Sequence, residues 1–99
     1  MTRLAAVLLG ILLVWGHAPV LAGPWRADAG TVRGWALMSP AERIEHQRRL
    51  RSFTHEAECR AYLQAHHAGM AQRARDRGVQ LAPGGRSPCD ALLQRGALQ

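Results

Sequence analysis

The sequence predicts an all-α protein: a two-helix hairpin with an irregular N-terminal arm and a disulfide-pinned C-terminal tail. Three observations carry that prediction. Ser39-Pro40-Ala41-Glu42 opens a helix, with Ser as N-cap, Pro where its missing N–H costs nothing, and Glu three residues after the cap. Cys59, Leu63, His66 and Met70 recur at spacings of four, three and four, which places them on one face of a second helix. Cys59 and Cys89 are the only cysteines, and no segment carries a strand signal.

Residues 1–22 read as a secretory signal peptide: Met1-Thr2-Arg3, an apolar run from Leu4 to Trp15, then Val20-Leu21-Ala22 with the small residues a signal peptidase requires. The run of about a dozen residues is too short for a bilayer crossing, which needs roughly twenty. Cleavage near Ala22 is expected to leave a chain that begins at Gly23 and works in the periplasm or outside the cell; an uncleaved membrane-associated helix is the alternative. Pro24 follows Leu21-Ala22-Gly23 where no Cys stands, so no lipid anchor is expected.

Beyond residue 22 the chain holds only eleven Leu, Val, Ile and Phe among 77 residues, about 14%, under the roughly 20% at which a packed core becomes doubtful. Twelve Arg face seven Asp and Glu there, and no Lys occurs anywhere. One small, core-poor domain is the upper bound. A Cys59–Cys89 bridge is the expected compensation in an oxidising compartment. It would close a loop of about 31 residues, for which chain entropy gives about 3.7 kcal/mol. Two free thiols or an intermolecular bridge are the alternatives. The spacing is too wide for a CxxC redox motif, and no haem-attachment CxxCH is present.

In chain order, 23–38 is the irregular arm, and its Trp25 and Trp35 either cover the helices behind them or meet a partner, as tryptophan does at binding hot spots. The first helix is predicted to run to about Arg51, with Ile44, Gln47, Leu50 and the aliphatic stem of Arg43 on one loose face, before a pause at Ser52-Phe53-Thr54. Thr54 reads as a second N-cap, with Glu56 and Glu58 near the positive end of the next dipole. The second helix is predicted from His55 to about Arg77, stopped by Gly78, its stripe turned toward the first helix. Gly69 within it costs about 1 kcal/mol relative to Ala, which implies either a close backbone approach or simple tolerance. The stretch after Gly78 reads as loop, followed by a helical turn at Asp90 to Gln94 that adds Leu92 and Leu93 to the stripe.

His66 and Met70 form an HxxxM pair on one helical face. Imidazole with thioether suits copper, and imidazole with carboxylate suits zinc, nickel or cobalt. Antiparallel pairing about a turn near Phe53 would set Glu42 opposite His66, with His46 four residues along Glu42's face, so Glu42, His46, His66 and Met70 are the candidate ligands for copper or zinc. The alternative is that His66 is hydrogen-bonded across the hairpin, Met70 is core and His67 is solvated. Arg73, Arg75 and Arg77 point to different faces and are interrupted by Asp76, which reads as a solvated helix end with cations near the negative pole. Export argues against nucleic acid; an anionic lipid surface stays open. Ser39 and Ser52 serve as cap and turn, the cysteines are expected oxidised, and the carboxylates are scattered, so the chain reads as a non-enzyme.

Leu37-Met38-Ser39-Pro40-Ala41-Glu42-Arg43, opening a helix ahead of a second that carries HxxxM, resembles the periplasmic helical-hairpin proteins marked by Leu-Thr-x-x-Gln. These include envelope-stress chaperone-like proteins and metal-resistance accessory or sensor proteins. Met38-Ser39 stands in the Leu-Thr place and Glu42 in the Gln place, and no second copy follows. The chain is also similar to small exported proteins with an ERxxH, ECxxY, HHxxM and RAxxRG arrangement, matched at Glu42-Arg43-His46, Glu58-Cys59-Tyr62, His66-His67-Met70 and Arg73-Ala74-Arg77-Gly78. That second likeness carries no activity. The first implies a homodimer, either metal sensing and buffering or a holdase role, and Glu42, His46, His66 and Met70 as ligands. The expected function is a small periplasmic accessory protein that binds a late transition metal as buffer or sensor. The alternative is a non-metal envelope interaction protein that uses basic helices, Trp25 and Trp35 to bind a protein partner or anionic lipid.

Overall fold

The computed structural model describes residues 24–99, and among them every regular element is helical. A 3-10 turn at Trp35–Leu37 precedes α1 (Pro40–Ser52), α2 (Glu56–Arg77) and α3 (Pro88–Gln94). The export-signal reading of residues 1–22 lies outside the described residues. No helix among those described is long and apolar enough to cross a membrane.

Capping chemistry starts α1. Ser39 Oγ accepts from the Glu42 N–H at 3.2 Å, and Glu42 Oε1 accepts from the Ser39 N–H at 3.0 Å, with Pro40 as the first helical residue. The helix closes where Phe53 turns extended. The start of α2 differs from expectation: its N-cap is His55 without a side-chain bond, not Thr54. Gln99 is the reason. Its carbonyl accepts from the Glu56 N–H and its own N–H donates to the Thr54 carbonyl, both at 2.9 Å. A remote backbone carbonyl thus takes one of the first-turn donors that a local hydroxyl would otherwise satisfy. Gly78 ends α2 in the left-handed region, φ 64°, with its N–H returned to the Ala74 and Arg75 carbonyls.

Cys59 and Cys89 are joined, tying α2 to α3 with their Cα atoms 5.9 Å apart. Arg60 reinforces the junction by donating to Glu56 at 2.8 Å and to Asp90 at 2.7 Å. α3 begins at Pro88, earlier than the single turn expected, and of its two leucines Leu92 is buried while Leu93 is 39% exposed.

The arm is structural rather than loose. Trp25, Val32 and Met38 are buried in one core with Leu50, Cys59, Leu63, Met70 and Leu92. Irregular backbone has no ladder to satisfy its polar groups, and here arginines of the helices do so. Arg51 Nε donates to the Trp25 carbonyl at 2.6 Å, Arg43 to the Trp35 carbonyl at 2.8 and 3.0 Å, and Arg73 to the Leu37 carbonyl at 2.9 Å. The reading of Arg73 as part of a solvated helix end is therefore corrected; Arg75, which bonds Gln72 on its own helix, fits that reading better.

The α2 stripe divides among three neighbours instead of facing α1 alone. Cys59 meets α3, Tyr62 and His66 reach His46 of α1, and Met70 lies beneath Gly34 of the arm. The close backbone approach occurs at Gly34, whose φ is 82° and where a Cβ would sit 2.5 Å from Met70 Cγ; nothing lies within 4 Å of a Cβ at Gly69, so that glycine is tolerated rather than required.

Candidate metal centre

Among the described residues, His46 is the one polar side chain that is buried as a whole. Its neighbours on α1 are Leu50, one turn along, and the capped first turn, so the helix fixes its Cα while the core surrounds its ring. His46 is 2% exposed. Nδ1 lies 2.8 Å from the Tyr62 hydroxyl, and Nε2 is buried with no hydrogen-bond partner. His66, from α2, stacks on it with ring centroids 4.0 Å apart and planes inclined by 27°. His66 Nε2 donates to the Arg33 carbonyl at 3.1 Å, which leaves the lone pair of the neutral ring on Nδ1.

Burial sets the protonation state of this pair. It pulls His46 down to about 4, helped by the neighbouring His66 and His67. Burial also lowers His66, partly offset by its bond to the Arg33 carbonyl. Both rings are accordingly neutral near pH 7, as a nitrogen that binds a metal or accepts a proton must be. Tyr62, whose hydroxyl is pushed up by burial, stays protonated beside them.

The two rings form one wall of a cleft of about 390 Å³, and all four sequence-predicted ligands, Glu42, His46, His66 and Met70, line it. They do not stand in the expected register. His46, not Glu42, is opposite His66, a displacement of about one helical turn. Glu42 meets Arg73 in a two-pronged pair, Oε1 to Nη1 at 2.9 Å and Oε2 to Nη2 at 2.8 Å. That guanidinium, with the Ser39 N–H, holds Glu42 at about 2. Among the described residues, no three His, Cys, Asp or Glu side chains converge on a point. Of the four predicted ligands, the two imidazoles and the Met70 thioether remain uncommitted, and Met38 brings a second thioether to the same lining.

The sequence reading missed Tyr62 and Arg73. Tyr62 lay beside the stripe and its hydroxyl needs a partner when half-buried, a signal that was present; Arg73 gave none, because only tertiary register brings it to Glu42.

The tryptophans separate. Trp25 is 7% exposed and part of the core, so it covers the helices and is not offered to a partner. Trp35 is half-buried beneath the Arg43 guanidinium, 4.6 Å from its ring centroid, and lines an apolar groove of about 360 Å³ with Val32, Leu37, Val79 and Leu81. His55 is exposed at the start of α2, away from the cleft. Compared with known proteins, the chain matches no family model, no curated protein and no solved structure.

Proposed function

We propose that this is a small exported accessory protein, built on a two-helix hairpin, that holds a late transition metal as a buffer or sensor rather than as a catalyst. One observation carries the reading: the buried His46 Nε2, without a protein partner, in a cleft that His66 and Met70 also line. A buried polar atom left unpaired costs about 1–3 kcal/mol, and a cation bound at that nitrogen would remove the penalty. The donor types suit the ion, since imidazole and thioether are ligands of late and soft metals.

Thermal unfolding of the disulfide-intact protein with copper, silver, zinc or nickel tests this. Binding to the folded state alone raises the melting temperature by mass action, about 2.7 kcal/mol at a hundredfold excess over Kd. The His66→Ala, Met70→Ala double variant is expected to lose the effect, and no shift with any of these ions would remove the reading. The apolar groove beside Trp35 favours a second reading, an interaction protein for the cell envelope. A protein that takes up none of these ions, yet co-sediments with anionic vesicles at low salt and not at high salt, would carry that one instead.

A further inference from the structure

We propose, resting on the metal reading above, that the cleft is selective for a soft monovalent cation, Cu(I) or its analogue Ag(I), held by His46 Nε2, His66 Nδ1 and Met70 Sδ, with arginine forks withholding the carboxylates.

The second partners of the histidines support this ligand set. A metal-bound imidazole donates its other N–H to an oxygen that fixes its tautomer. His66 does so to the Arg33 carbonyl, and His46 has the Tyr62 oxygen at Nδ1. Each ring is thus fixed at one nitrogen and uncommitted at the other, and the uncommitted atoms are on side chains that line the same cleft. Met70, 5% exposed under Gly34, brings the third donor.

The carboxylates at the cleft are occupied. Glu42 offers one oxygen to both Ser39 and Arg73 and the other to Arg73. Glu45 is gripped by Arg48 in the same two-pronged manner, at 2.5 and 2.7 Å. A divalent ion entering the cleft would meet neutral donors and carboxylates already paired with Arg73 and Arg48. Removing an ion from water carries a penalty that rises with the square of its charge, and uncompensated burial is prohibitive. Zinc also prefers four ligands in closed sites. A monovalent soft ion is satisfied by two or three neutral donors. Rings inclined by only 27° do not aim their in-plane lone pairs at one point roughly 2 Å from both, so binding by both requires the rings to tilt out of their stack.

The test titrates the disulfide-intact protein with Ag(I) and, separately, with Zn(II), read by melting temperature and by imidazole and Met70 methyl resonances. Ag(I) is expected to saturate at one equivalent, raise the melting temperature and move the His46, His66 and Met70 signals together, while Zn(II) at equal concentration does not. Met70→Leu, close in volume, is expected to lose at least about tenfold in Ag(I) affinity, the lower end of what even an outer-shell loss removes. Arg73→Gln, which releases Glu42, is expected to gain Zn(II) binding and keep Ag(I). Zn(II) binding as tight as Ag(I) in the unmodified protein would overturn the monovalent preference and leave the broader metal reading standing; binding of neither would overturn both. Unchanged Ag(I) affinity in Met70→Leu would overturn the ligand set, and an Arg73→Gln variant without gain toward Zn(II) would overturn the withholding role of the fork.

Discussion

At the scale of single residues, His46 joins two demands that ordinarily conflict: it is fully within the core, yet it keeps one ring nitrogen unpaired. The groups facing it are Tyr62, His66 and His67 from α2. Its folded value near 4 lies below the ordinary 6.5, so between those values the unfolded chain binds the extra proton and the folded chain does not. Stability is therefore complete above about pH 6.5 and falls as pH drops toward 4, by up to about 3 kcal/mol. Glu42, held at about 2 instead of 4.5, adds a second loss at lower pH, as its carboxylate is protonated away from Arg73. Thermal unfolding followed from pH 8 to pH 3 is expected to show the upper step, and His46→Gln to reduce it to the smaller slope left by His66 and His67, which burial lowers in the same direction. An unaltered slope in His46→Gln would contradict the assignment. The Ser39–Glu42 capping box was legible because it is chemistry within four residues. The orphaned nitrogen of His46 was not, since orphaning is defined by everything that fails to reach it.

At the scale of elements, the contact between the arm and α2 decides where the ligands stand. Gly34 has a positive φ and lies on Met70, with a Cβ there 2.8 Å from Sδ. Gly34→Ala combines backbone strain with displacement of the thioether, and is expected to destabilise by about 2 kcal/mol in denaturant unfolding and to weaken Ag(I) uptake. Full retention of both would show that the arm does not seat Met70. This contact also explains why helix boundaries were readable and register was not. Pro40 and Gly78 mark ends locally. The offset between α1 and α2 depends on the arm, whose carbonyls draw Arg43, Arg51 and Arg73, and a pattern of apolar spacings holds no record of such bonds. Thr54 failed as a cap for the same reason, because Gln99 reaches α2 from a distance no local rule anticipates.

At the scale of the whole molecule, the described residues, with few large aliphatic side chains, are tied by the Cys59–Cys89 bridge and by guanidiniums bonded to irregular backbone. The Cys59–Cys89 pairing was legible because two cysteines admit a single intramolecular bridge. It brings α3 against α2, while the arginine bonds secure the arm on the other elements; the His46–His66 stack then lines a cleft whose carboxylates, Glu42 and Glu45, are paired with Arg73 and Arg48. The most direct test of that arrangement is a long-range 1H–15N spectrum of the imidazoles near pH 7, recorded before and after one equivalent of Ag(I). We predict neutral rings with the proton of His46 on Nδ1 and that of His66 on Nε2, and movement of the two bare nitrogens when silver is added. A charged ring, the opposite tautomer at either histidine, or spectra indifferent to silver would contradict it.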